Sequence, residues 1–238
     1  MSTRLTTRNP VRSDLPRTAE APHRPATRWW ALAGVGAAIA GVATVVTTSM
    51  AGTVYESRFA GDTTGLAEAM AHDASTMLVF HGVTVLGAIL TIVFAAGLHR
   101  RLTTALDGDS TLPLVAFAGL LGTAVVSILG SGLDTEFVIP MLSGQHIDDA
   151  SAATYGHWTG TIPWVWVLSG VTAVALHVAA RKGALPRWLG RSGLVFGGLI
   201  LVLGISPLQY MAVVPGVVWL LVTSVGLLVG DRHQRRAA

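Results

Sequence analysis

Apolar residues in this chain fall into long unbroken runs, not into the alternation that marks half-buried strands and helices of soluble proteins. The first run begins abruptly at Trp29 and Trp30 and continues through residue 51, and uncharged runs follow at 77–98, 112–133 and 159–180. Each matches the roughly 20 residues that a helix needs to span a hydrocarbon core of about 30 Å. A last charge-free run, from Ser192 to Gly230, would reach about 58 Å as one helix, so it must turn back on itself. Pro207 and Pro215 flank Leu208, Gln209, Tyr210 and Met211. Proline breaks a helix ladder from within yet sits well in a first turn, which places the reversal there. The pattern predicts an all-α fold: a polytopic membrane helical bundle with six transmembrane helices, at about 29–51, 77–98, 112–133, 159–180, 188–207 and 213–230.

Composition supports this class. Only 12% of the residues are charged and the mean hydropathy is +0.58, whereas soluble domains carry about 25% charge. The absence of cysteine excludes disulfides, thiolate nucleophiles and Cys-ligated zinc or iron–sulfur clusters. No zincin, nucleophile-elbow, Walker or dinucleotide signature is present, which disfavours enzymes built on those devices.

Charge then gives an orientation. Of 16 basic residues, all but Arg58 fall on one side of the predicted spans: in residues 1–28, at Arg100 and Arg101, at Arg181, Lys182, Arg187 and Arg191, and at Arg232, Arg235 and Arg236. The other side carries Glu56, Asp62, Glu68, Asp73, Asp134, Glu136, Asp148 and Asp149. The positive-inside rule therefore puts both termini in the cytoplasm. Residues 1–28 combine arginines with Pro10, Pro16, Pro22 and Pro25 and read as a disordered basic tail; residues 231–238 form a second basic tail. The first tail has neither interleaved aromatics nor a folded reader, so anionic lipid headgroups are its expected partner and nucleic acid is not.

Two external segments, 52–76 and 134–157, are long enough for structure of their own. Thr63 or Thr64 can cap a short surface helix that puts Leu66, Ala69 and Met70 on one face. The second segment is split by Pro140 and Gly144, with a helical turn expected at 151–155. Gly61-Asp62-Thr63, the Ala-rich helix ending near His72, and a span closed by Gly97-Leu98-His99-Arg100-Arg101-Leu102 resemble a broad group of uncharacterised six-helix membrane proteins of GC-rich bacteria. The resemblance implies a bacterial inner-membrane helical bundle and carries no activity with it.

Candidate chemistry rests on histidines and on the end of the third span. His81 and His177 lie inside predicted spans, and ionisable groups in a membrane are functional candidates by default. Asp134 and Glu136 end the third span, where the apolar stretch 137–142 returns toward lipid. Helix two descends and helix three rises, which gives Asp134 and His81 matched depth and predicts that they meet in an external vestibule. His72, His146 and His157, with Asp73, Asp148 and Asp149, could border the same space, so His72, His81, Asp134, Glu136, His146 and His157 are the candidate ligands for a divalent metal ion. Haem b is a further alternative. It needs facing imidazoles at equal depth, and His81, His99, His157 and His177 are the histidines with which to build it. Gly193, Gly197 and Gly204 share one face of helix five and form a helix-packing seam, while Gly226 lies off it. The resulting expectation is a non-catalytic accessory subunit that binds a membrane-protein partner or a second copy of itself. The alternative is a small-solute or ion-coupled transporter-like protein with an acidic and histidine-lined vestibule.

Overall fold

A computed structural model describes residues 29–51 and 53–236, so the basic tail expected at 1–28 lies outside the described residues. Among the described residues there is helix and turn but no strand. The helices are α1 (Trp29–Met50), α2 (Thr63–His72), α3 (Ala74–Ala105), α4 (Leu112–Gly130), α5 (Asp134–Leu142), α6 (Asp149–Thr159), α7 (Val167–Arg181), α8 (Arg187–Ile205) and α9 (Val213–Arg236). Six helical segments are long and apolar enough to cross a membrane: α1, α3, α4 with α5, α6 with α7, α8, and α9 with the 3₁₀ turn before it. The chain is thus a multi-pass membrane protein by length and composition of its helices.

The spans close into a ring in chain order. α1 packs on α3, α3 on α4, α4 on α7, α7 on α8, α8 on α9, and α9 returns to α1. One apolar core runs through the ring, with Phe94, Leu98, Leu120, Leu176, Trp219 and Leu220 all 1% exposed or less. Hydroxyl groups stitch neighbouring spans: Thr44 to Thr84 at 3.1 Å between α1 and α3, and Thr172 Oγ1 to the Ala116 carbonyl at 2.9 Å between α7 and α4. In lipid no hydrophobic force draws helices together, so such bonds and close packing carry the association.

Close packing between α7 and α8 runs through glycines. A Cβ at Gly193 would overlap the Ala173 carbonyl oxygen, and one at Gly204 would overlap the Val167 side chain. One at Gly197 would stand 2.9 Å from the Ala173 Cβ and 3.1 Å from the Gly170 oxygen. Gly226, expected to lie clear of such contacts, is itself covered by Trp188 and Leu189, with a Cβ 2.5 Å from the Trp188 Cη2. On α8 the open glycine is Gly198, which has nothing within 4 Å.

Several boundaries differ from the sequence reading, each for a local reason. The fourth span is not one helix over 159–180. Pro163 sits in a 3₁₀ turn at Ile162–Trp164, α7 begins only at Val167, and its 15 residues cover about 22 Å, so α6 supplies the remaining length. α4 ends at Gly130, a residue that must be glycine because a Cβ there would meet the Pro163 ring at 2.5 Å; a turn at 131–133 then starts α5. Pro140 lies inside α5 without breaking it; the helix runs on to Leu142, and Gly144 follows with φ +71. The cap of α2 is Asp62, whose carboxylate accepts from the Gly65 N–H at 2.9 Å, not Thr63 or Thr64. The final helix continues to Arg236, through most of the segment read as a basic tail.

α2, α5, α6 and the first turns of α3 make a separate cap at one end of the ring. It has its own apolar core of Leu66, Met70, Met77, Val138, Met141, Ala152 and Tyr155. The buried face of α2 is Leu66, Ala67 and Met70, so Ala67 takes the place expected for Ala69.

Candidate functional site

The cap and the ring meet at a buried carboxylate. α3 is 32 residues long, about 48 Å at 1.5 Å per residue, so its first turns stand in the cap with His81 on the way into the ring. Asp134 opens α5 immediately after the turn that ends α4. Tyr155 lies on the face of α6 that Ala152, Gly156 and Thr159 also bury. The three side chains converge. His81 Nδ1 lies 3.1 Å from Asp134 Oδ2, and the Tyr155 hydroxyl donates to Asp134 Oδ1 at 3.0 Å. When Asp134 is ionised its oxygens can only accept, and His81 then presents Nδ1–H to it.

Burial decides what this cluster does. Asp134 is 1% exposed and Tyr155 fully covered, whereas the His81 side chain is 31% exposed. Phe137, one turn after Asp134, stacks on Tyr155 with ring centroids 4.6 Å apart and planes 7° from parallel. Both carboxylate oxygens are engaged and an aromatic pair shields the group. Three elements are thereby tied at one point: α3 of the ring, and α5 and α6 of the cap. Further bonds tie the cap internally and to α4. Thr64 Oγ1 donates to Asp149 Oδ2 at 2.6 Å, and Trp158 Nε1 donates to the Leu129 carbonyl at 3.3 Å.

The predicted site residues separate on this geometry. His81 and Asp134 come together as matched depth required. His72, Glu136, His146 and His157 are exposed on the cap and do not join them; His146 faces Asp149 at 3.9 Å and His157 lies edge-on to Tyr55. Among the described residues no group of three His, Asp or Glu side chains is arranged to hold a metal ion. The expected vestibule is not open at Asp134, because α5 and α6 close over it. A haem pair between α3 and the α6–α7 segment has no facing helices, since α4 packs between α3 and α7. His99 instead contacts Phe117 edge-on, and His177 Nδ1 bonds the Gly190 carbonyl at 2.9 Å. Tyr155 is the residue that sequence reasoning passed over. Its signal was the spacing of Ala152, Tyr155, Gly156 and Thr159, which puts all four on one helical face.

Beneath His81, the inner face of α3 carries Thr84 and Thr91. With Thr44 and Ser127 they line a cavity of about 10 Å³ bounded by Trp166 and Pro163, room for about one water molecule. Comparison of the chain with family models, curated proteins and solved structures finds no match, so the functional reading rests on the residues alone.

Proposed function

We propose that this chain is an accessory subunit of a bacterial cytoplasmic membrane, with the cap outside and both termini inside, and that it acts by binding a membrane partner, not by catalysis. The orientation is supported by the basic residues at the end of the ring opposite the cap and the acidic residues in the cap. The observation that carries the functional reading is the closure of Asp134. The ionisable cluster that joins ring to cap has both carboxylate oxygens engaged by protein groups, so it serves architecture and leaves no carboxylate oxygen for a substrate to reach. The partner face is assigned to α8. Only 28% of its apolar window is buried within the chain, against 61% for the last span, and Val195, Val202 and Ile205 stand 67%, 67% and 88% exposed along it.

A photo-cross-linking residue at Val195 or Val202, activated in intact membranes of the source cell, is expected to give a discrete protein adduct, either a second copy or a different subunit. Lipid adducts alone would contradict the proposal. The transporter-like reading is favoured by one observation, the hydroxyl-lined cavity below His81, and predicts proton or cation flux in proteoliposomes that Thr84→Val abolishes. An absorption spectrum and metal analysis of the detergent-purified chain test the haem and divalent-metal alternatives directly.

A further inference from the structure

At the end of the ring opposite the cap, α7 and α8 come within van der Waals contact at Gly190, where a Cβ would lie 2.5 Å from that of Ala180. Arg181 closes α7, while Arg187 and Arg191 stand on the first turns of α8. The close approach gathers these three guanidinium groups, with His177, around one cavity of about 280 Å³. The His177 ring is fixed by Nδ1–H donation to the Gly190 carbonyl, which leaves Nε2 to face another group. No Asp or Glu occurs between Asp149 and Asp231, and among the described residues no carboxylate pairs with Arg181, Arg187 or Arg191.

We propose that this cavity binds the phosphate group of an anionic phospholipid. Guanidinium forks match phosphate oxygens with two parallel hydrogen bonds. The first-turn N–H groups of α8, which lack helical acceptors, add positive potential at the same place. Position selects lipid over a soluble ester: the cavity lies at the ends of two spans, at headgroup level, and Trp188, 50% exposed on the first turn of α8, supplies the amphipathic ring that favours that layer. Basic pockets between spans are a recurrent form of headgroup recognition. This site is distinct from the basic tail at 1–28 and depends only on the packing of α7 on α8, whatever the partner of α8.

The test uses the full chain in a neutral detergent, with thermal unfolding followed by tryptophan fluorescence while short-chain phosphatidylglycerol, phosphatidylcholine of the same chain length, or sodium phosphate is added. Phosphatidylglycerol is expected to raise the midpoint saturably and phosphatidylcholine to leave it near the detergent value, because choline is repelled by the arginines. The double variant Arg187→Gln, Arg191→Gln should weaken the response about thirtyfold, because two basic side chains no longer face the headgroup, while Arg100→Gln, at the same end but away from the cavity, should match the parent. If the glutamine pair does not fold, Arg187→Lys with Arg191→Lys keeps the charge without the fork and should bind more weakly than the parent. Equal responses to the two lipids, or parental affinity in the folded arginine variants, would overturn the proposal. Saturation by sodium phosphate that abolishes the lipid response would reassign the cavity to a soluble phosphate ester.

Discussion

The cap and the ring are held together by different physics, although one helix, α3, belongs to both. In the cap, helices of nine to eleven residues are too short to be stable alone in water. They are fixed by a compact apolar core and by a carboxylate with a donor on each oxygen. In the ring, the helices are long and the force is contact: glycines at 193, 197 and 204 let α8 lie on the backbone of α7, and threonine hydroxyls bridge neighbouring spans. A buried charge is thus used where water is near and an alternative conformation is cheap. Small residues are used where lipid gives helices no reason to associate except fit. Asp134 sits at the boundary and ties the first arrangement to the second.

The largest expected effect follows from removing that tie. Asp134→Ala leaves the Tyr155 hydroxyl and the His81 ring without their acceptor in a closed site, and should destabilise the cap by about 3 to 5 kcal/mol, read as early proteolysis within α2 and α6 while the ring stays folded. Tyr155→Phe keeps the stack on Phe137 but strips one oxygen of its donor, for a loss of about 1.5 to 3 kcal/mol in chemical denaturation of the cap. Gly193→Ala acts on the other region. Its Cβ meets the Ala173 carbonyl, a backbone atom that cannot swing aside, so α7 and α8 must separate at a cost of about 1 to 3 kcal/mol, measured as a lower thermal midpoint in detergent with the cap's resistance to protease unchanged. Gly198→Ala sharpens that result, since the open side of the same helix should tolerate the methyl within about 0.5 kcal/mol. A loss at Gly198 equal to that at Gly193 would mean that lipid exposure, not the seam, sets the response, because glycine to alanine by itself raises helix propensity.

The ring was largely legible in the sequence because lipid demands continuous apolar runs, and the six spans could be counted from where charges stop. Their ends were less so. Residues 74–76 and 99–105 extend α3 beyond any bilayer, and nothing in the apolar pattern marks a helix that continues into water. The break before α7 lay in Pro163, which an unbroken uncharged run concealed. Of the site, the meeting of His81 and Asp134 could be read from depth, because two antiparallel neighbours joined by a short loop bring equal depths together. Closure could not. It depends on the turn at 131–133 laying Phe137 on Tyr155, a pairing of residues from two helices whose mutual angle no local pattern encodes. The same limit explains Gly226: its position on α9 says nothing of Trp188, which reaches it from α8.

Amide hydrogen exchange followed by mass spectrometry on the purified chain tests the division between cap and ring most directly, with Asp134→Ala and Gly193→Ala compared against the parent. Faster exchange is expected in α2, α5 and α6 for Asp134→Ala, with α7 and α8 as protected as in the parent, and the reverse pattern for Gly193→Ala. Exchange that quickens uniformly through cap and ring in both variants would contradict that division, since the two regions would then unfold as one unit and Asp134 would not be the point at which they are joined.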